Sequence, residues 1–378
     1  MNFGFTEEQE MIRKSARDFV KGQSSLERIR GLADDERGYS PDLWKQMLDS
    51  GWAGTTFPEQ YGGLGLGFVD LLCIQEELGK GLIPEPLITS AILAGSAILF
   101  ACDENLKNEY LPKIIGGELT FTAGAYELAG RFNAAHVETT AKALDGGYVL
   151  NGTKSFVEDA GAADKIIVSA RTSGGAEDQN GITLFMVDKN APGLKLTPIK
   201  TMDRRRRFML GLKDVKVAAD QVVGRVDHGF EAIDKAIDRA ALALCAEMLG
   251  GMEAALNMSV AYSKERVQFG KPIGSFQAMK HKAANMFVAM ETARSATYYA
   301  TMAVDENMPD LRAAISCAKA LCSDAYMQIG KDAIQIHGGI GFTHECDVQL
   351  YYKRAVVANV TYGDPTWHRD RYATEKGF

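Results

Sequence analysis

Apolar and polar positions follow two different rhythms along this chain. From residue 5, FTEEQEMIRKSARDFV sets Met11, Ile12, Ala16, Phe19 and Val20 at helical spacing, with Thr6 and Gln9 placed as a capping box ahead of them. YSPDLWKQML repeats that arrangement, with Ser40 as the capping residue and Pro41 in the first turn. PEQYGGLGLG reads as a glycine-rich loop between helices. LITSAILAGSAILFAC, Leu87 to Cys102, reads as a buried helix, shorter than the roughly 20 residues that cross a bilayer. Residues 1–118 therefore read as an N-terminal helical domain.

Between 119 and 225 the period shortens. DGGYVLNGTKSFV, DKIIVSART, NGITLFMVD and GLKLTPIK are short β-rich runs divided by Gly, Asn-Gly and Asp-Gly turn signals. They predict a β-sheet or barrel-like middle domain. It holds no G-x-G-x-x-G fingerprint, which argues against a Rossmann nucleotide site. From 226 to 378 long Ala- and Met-rich amphipathic runs return, the composition of a helix bundle. The order is α, β, α, an α+β fold.

Composition narrows the function classes. A formal net charge of −7 over 378 residues argues against a partner that is a phosphate backbone. The one dense cationic run, Arg204 to Arg207, reads as a solvated loop, with an acidic substrate end as the other reading. Cys73, Cys102, Cys245, Cys317, Cys322 and Cys346 are scattered, and none forms a C-x-x-C pair. They read as reduced thiols of a cytoplasmic protein. The acidic start MNFGFTEEQE lacks the apolar core of a signal peptide.

Two stretches carry candidate chemistry. ERVQFGKPIGSFQAMKH holds Arg266, Gln268, Phe269 and Gln277 between two long helical runs. It reads either as a turn with a surface arginine or as a phosphate grip, in which Phe269 offers a ring and Gln277 an amide. QIHGGIG, Gln335 to Gly341, interrupts a helical run with three glycines in four positions. One glycine suits a helix C-cap, and the others suggest bare backbone that something approaches closely.

Together, RVQFGKPIGSFQ, QIHGGIGF and the α, β, α order resemble the acyl-CoA dehydrogenase family over essentially the whole chain. The resemblance implies an N-terminal helical domain, a middle β-domain and a C-terminal four-helix bundle. It also implies assembly as a tetramer of two dimers, with FAD extended at the dimer interface. Arg266, Gln268, Phe269 and Gln277 would contact the FAD of the neighbouring subunit, and Gln335, His337, Gly338 and Gly339 its adenosine end. The family's first flavin-contacting segment stands here as AYEL, with Tyr126 in place of threonine. Its second stands as FVED, beginning at Phe156. Acyl-CoA is the implied substrate and electron-transferring flavoprotein the implied electron acceptor.

The family reaction removes the proton next to a thioester, which requires a carboxylate base in a dry pocket. The usual Tyr-Glu-Gly-Thr segment reads TYGDP here. Counting from Arg354 puts Gly363 at the base position, and matching Gly-Thr to Gly-Asp puts Tyr362 there. Asp364 reads as the N-cap of the last helix, with Pro365 in its first turn. Some relatives carry the base on the helix that opens the bundle, which corresponds to Ala240. Of the nearby acids, Asp238 is expected at the surface and Glu247 as a buried, hydrogen-bonded acid. Glu247 and Asp364 remain the candidate bases. These departures look most like the small subunit of pimeloyl-CoA dehydrogenase and of similar two-subunit enzymes. The implied function is an FAD-dependent acyl-CoA dehydrogenase subunit that completes the site of a base-bearing partner, with a dicarboxyl-CoA such as pimeloyl-CoA as the substrate that the resemblance suggests. The alternatives are a self-sufficient homo-oligomer with an unusual base and a non-catalytic scaffold.

Overall fold

The computed structural model describes residues 4–101 and 104–378. The first three residues of the acidic N-terminus, and Cys102 with its expected free thiol, lie outside the described residues. Helices α1 (Glu7–Gln23), α2 (Leu26–Leu32), α3 (Pro41–Asp49) and α4 (Phe68–Lys80) come first. A π-type helix (Leu87–Gly95), α5 (Ser96–Ala101) and α6 (Glu104–Ile115) follow. Strands β1 (Phe121–Gly124), β2 (Thr140–Leu144), β3 (Gly147–Glu158) and β4 (Lys165–Arg171) come next. They continue with β5 (Ile182–Asp188), β6 (Leu194–Ile199), β7 (Arg207–Ala218) and β8 (Val222–Val223). After α7 (Phe230–Glu265) come the hairpin strands β9 (Val267–Gln268) and β10 (Lys271–Pro272). Helices α8 (Gln277–Asp305), α9 (Leu311–His337), α10 (Val348–Val360) and α11 (Pro365–Lys376) complete the chain. The α+β order expected from the hydrophobic rhythm is the one observed.

The helix starts follow their caps. Thr6 Oγ1 accepts from the Gln9 amide at 3.2 Å, and Gln9 Oε1 accepts from the Thr6 amide at 3.1 Å, closing the capping box. Ser40 caps α3, with Pro41 in its first turn. The apolar run after Leu87 is buried as expected, but its first nine residues form the wider π-type turn rather than an α-helix.

The chain divides into two compact units, one of residues 32–66 and 84–240, the other of residues 1–31, 67–83 and 241–378. In the first, the sheet runs β6-β7-β3-β2-β4-β5-β8, with β1 parallel to β4. Leu150, Ile166, Val168, Phe185, Leu210 and Val215 from successive strands form its apolar core. The arginine run is a correction to the solvated-loop reading. Arg207 is 4% exposed and pairs with Glu158 at 2.6 Å, while Arg206 donates to the backbone carbonyls of Ala33 (3.1 Å) and Asp35. Arg204 alone stands out in solvent, 3.6 Å from Asp34. A cation run in sequence is silent about carboxylates and carbonyls that fold back onto it from far along the chain. Asp238 is likewise corrected, being 4% exposed rather than at the surface.

In the helical unit α9 packs on α8, α10 and α11, and α1 packs on α4. Glycines set the approach of α4 to α7. A Cβ on Gly79 would sit 2.1 Å from the Glu247 carbonyl oxygen, and one on Gly250 would sit 1.9 Å from that of Glu76. Charges cross-tie the same helices, with half-buried Arg294 Nη2 at 2.8 Å from both buried Glu76 and half-buried Glu253. Among the described residues no helix is long and apolar enough to cross a membrane. The five described cysteines are free thiols.

Candidate functional site

The segment after α7 is a two-residue hairpin. Gln268 pairs with Lys271, and the turn residues Phe269 and Gly270 both have positive φ, 53° and 76°. Such a turn usually carries Asn-Gly or Gly-Gly, because a bulky residue there is strained. Phe269 is also 91% exposed. Its ring meets Phe276 edge-on, with centroids 6.0 Å apart, and its outer face is left open.

The hairpin forms one wall of a cavity of about 550 Å³. Arg266, Gln268 and Phe269 line it from one side, and His337, Gly338 and Gly339 at the end of α9 from the other. Arg266 is exposed, and its guanidinium pairs with no carboxylate among the described residues. The His337 ring stacks on Tyr262 at 4.5 Å, and its Nδ1 donates to the Ala333 carbonyl at 2.8 Å.

The glycines of QIHGGIG separate into three roles. Gly338 ends α9 at φ 64°, a conformation that only glycine adopts without strain. Gly341 is packed inside, since a Cβ there would sit 2.7 Å from the Ile334 carbonyl oxygen. Around Gly339 nothing comes within 4 Å of where a Cβ would be, so its backbone is open to an incoming group.

Sequence reasoning placed six residues that the fold brings to this cavity. Gln277 opens α8 and Gln335 faces outward on α9, both exposed and neither on the cavity wall. It missed Tyr262, Phe276, Met279 and Ile336, which also line the cavity. Tyr262 was within reach, because it sits four residues before Arg266 on the same helical face.

Tyr126 and Phe156 belong to the β-rich unit. Phe156 is 54% exposed at φ 54°, in a bulge between the pairs of Lys154 and Val157 with β7. The Tyr126 carbonyl accepts from the Ser155 amide at 2.9 Å. Beneath these two segments lies Lys154, fully buried, with Nζ 2.6 Å from Glu127 Oε1 and 3.0 Å from Ser169 Oγ. Burial pushes its ammonium down to about 8, against the pull of the Glu127 carboxylate.

Both candidate carboxylates are occupied. Glu247 is 5% exposed and takes a two-point grip from Arg354, Nε to Oε1 at 2.7 Å and Nη2 to Oε2 at 3.2 Å. Asp364 caps α11, accepting from the Trp367 amide at 2.8 Å, with Pro365 in the first turn. Ahead of it Tyr362 and Gly363 turn the chain at φ 57° and 110°. A Cβ at Gly363 would sit 2.6 Å from His368 Nε2, so no side chain fits there. Tyr362 and Gly363, the two positions at which the base was expected, both lie in this turn, and neither is a carboxylate. Asp364→Asn should lower stability by at most about 1 kcal/mol in thermal unfolding and leave turnover near the parent's, since asparagine caps almost as well.

Comparison with known proteins adds to this geometry. Residues 6–118, 123–215 and 227–375 match the N-terminal, middle and C-terminal domains of acyl-CoA dehydrogenase, respectively. The short-chain-specific acyl-CoA dehydrogenase of Megasphaera elsdenii is 33% identical over 96% of each chain. CarC of Acetobacterium woodii, a subunit of the caffeyl-CoA reductase-Etf complex, is 29% identical over 95% of each chain. A chain of the ChsE4-ChsE5 complex from Mycobacterium tuberculosis superposes with a TM-score of 0.90 at 25% identity, covering 100% of this chain and 99% of its own.

Proposed function

Because this chain belongs to the acyl-CoA dehydrogenase family, whose members are FAD-dependent oxidoreductases, we propose that it is the base-lacking subunit of an acyl-CoA dehydrogenase. The observation that carries this reading is the turn at Tyr362 and Gly363. It stands where the proton-abstracting carboxylate is expected, carries none, and has no room for one at Gly363.

The cavity suits the flavin cofactor. Arg266 offers an unpaired fork for a phosphate, Phe269 an exposed ring, and Gly338 and Gly339 open backbone. FAD, when bound, supplies the acceptor for the hydride that leaves the β-carbon of the acyl group. This chain's own part is to bind and orient. Removal of the proton at the thioester's α-carbon needs a free carboxylate. Glu247 is committed to Arg354 and Asp364 to the Trp367 amide, so that proton goes to a carboxylate of a second acyl-CoA dehydrogenase subunit in a hetero-tetramer. Electron-transferring flavoprotein then takes the electrons, in keeping with the Etf complex of the CarC relative. A dicarboxyl-CoA such as pimeloyl-CoA is the proposed substrate and the cytoplasm the proposed compartment, the latter supported by the free thiols. The open cavity and the strained, exposed Phe269 speak against a bare scaffold.

The flavin spectrum tests this. With FAD and either butyryl-CoA or pimeloyl-CoA, the chain alone should keep its visible absorbance, and bleaching should begin when the base-bearing subunit is added. Full bleaching by the chain alone would overturn the proposal.

A further inference from the structure

Lys319 lies in the middle of α9 and is fully buried. Among the described residues its Nζ has no carboxylate within ion-pair distance. It donates instead among Ser323 Oγ (2.9 Å) and the carbonyls of Ala358 (3.2 Å), Asn359 (3.2 Å) and Gly363 (2.9 Å). Two of these carbonyls belong to the last turn of α10, where the helix dipole favours a cation. The third belongs to the turn at Tyr362 and Gly363. From the other side His368 Nε2 donates to the Tyr362 carbonyl at 3.0 Å, and Asp364 caps α11. A left-handed pair of residues is thus held by buried donors reaching it from two helices.

We propose that Lys319 is a positioning residue for the acyl-CoA reaction, holding the Tyr362–Gly363 turn in its strained conformation so that turnover requires the lysine's proton. This rests on the proposed reading of that turn as the place where the family's base is expected. An ammonium has three hydrogens for these four acceptors, and a neutral amine has two, so losing the proton releases a carbonyl of the turn or of α10. The charged and titratable groups facing Lys319 are Cys245 on α7, Cys322 on α9, Arg354 on α10, and Asp364 and His368 around the start of α11. Burial pushes the lysine down to about 8, against the pull of those thiols and Asp364, which puts the loss of its proton in an accessible pH range. The unfolded chain keeps the same proton up to the higher ordinary value of lysine. Losing it in the fold therefore does not weaken the fold, so the titration of Lys319 would not itself lower turnover above pH 8 by unfolding.

Trp367 reports on the turn independently of substrate, because its Cε3 lies 2.7 Å from where a Gly363 Cβ would be. Fluorescence of the flavin-loaded complex, taken as the difference from Trp367→Phe, and kcat and KM for pimeloyl-CoA are followed from pH 6.5 to 9.5. Both the emission and kcat should change near pH 8 with KM constant. In Ser323→Ala both should move down by about half a pH unit, since one partner of the ammonium is gone. Lys319→Met should lose the limb and turn over about tenfold more slowly with its flavin retained. If that variant fails to fold, Ser323→Ala decides. An emission change without a kcat limb, a limb unmoved by Ser323→Ala, or a limb abolished by Cys322→Ser would each overturn the role of Lys319. A complex that neither pimeloyl-CoA nor butyryl-CoA bleaches, with the emission change still at pH 8, would instead remove the dehydrogenase reading, and the catalytic role with it.

Discussion

Arg266→Ala is expected to yield a folded protein that purifies without its yellow cofactor. The side chain is exposed and pairs with no carboxylate among the described residues, so its removal should cost the fold less than about 0.5 kcal/mol. Its proposed role is to grip a phosphate of FAD. A guanidinium fork on a phosphate makes two charge-assisted hydrogen bonds, and losing both should weaken FAD binding by about a hundredfold. Arg266→Lys should recover only part of that, because a point charge replaces a planar fork. Flavin absorbance per mole of protein after gel filtration, beside the melting temperature of the apoprotein, separates the two effects. Stoichiometric flavin in the alanine variant would mean that the cavity at the hairpin is not the cofactor's.

The second large effect falls on the fold. Gly250→Ala should destabilise the helical unit by about 3 kcal/mol or more, although alanine is the better helix former by about 1 kcal/mol. The new methyl would meet the Glu76 carbonyl oxygen at 1.9 Å and the Lys80 amide nitrogen at 2.8 Å. Both are backbone of α4 and cannot swing aside. The next residue is the control. A Cβ at Gly251 meets the end of the Tyr326 side chain, so Gly251→Ala should cost clearly less. Denaturant midpoints of the two variants check this, and equal losses would show that the α4–α7 approach is not what Gly250 serves.

What could be read in advance follows from how local each signal is. Thr6 with Gln9, Ser40 with Pro41, and Asp364 with Pro365 are caps made by neighbours in sequence, and all three formed. The hairpin at Phe269 and the glycines after His337 were legible as a pair only through the family resemblance, because their meeting depends on α7 and α9 lying side by side. Arg206 and Arg207 were misread for the opposite reason. Their partners, Ala33, Asp35 and Glu158, are separated from them by long stretches of chain. Lys319 left a trace that went unused. A lone lysine amid the apolar run AAISCAKALC sits on a face with no solvent, and such a lysine must find acceptors inside. Glu247 was expected as a buried, hydrogen-bonded acid, and Arg354 supplies the bond.

The central claim is that this chain holds flavin and substrate but brings no base. Exchange of the α-hydrogens of pimeloyl-CoA with heavy water tests it most directly, read by mass spectrometry on the flavin-loaded chain. The chain alone should incorporate no deuterium beyond the buffer rate, and adding the base-bearing subunit should start the exchange. Rapid incorporation by the chain alone, abolished by Glu247→Gln or Asp364→Asn, would contradict it.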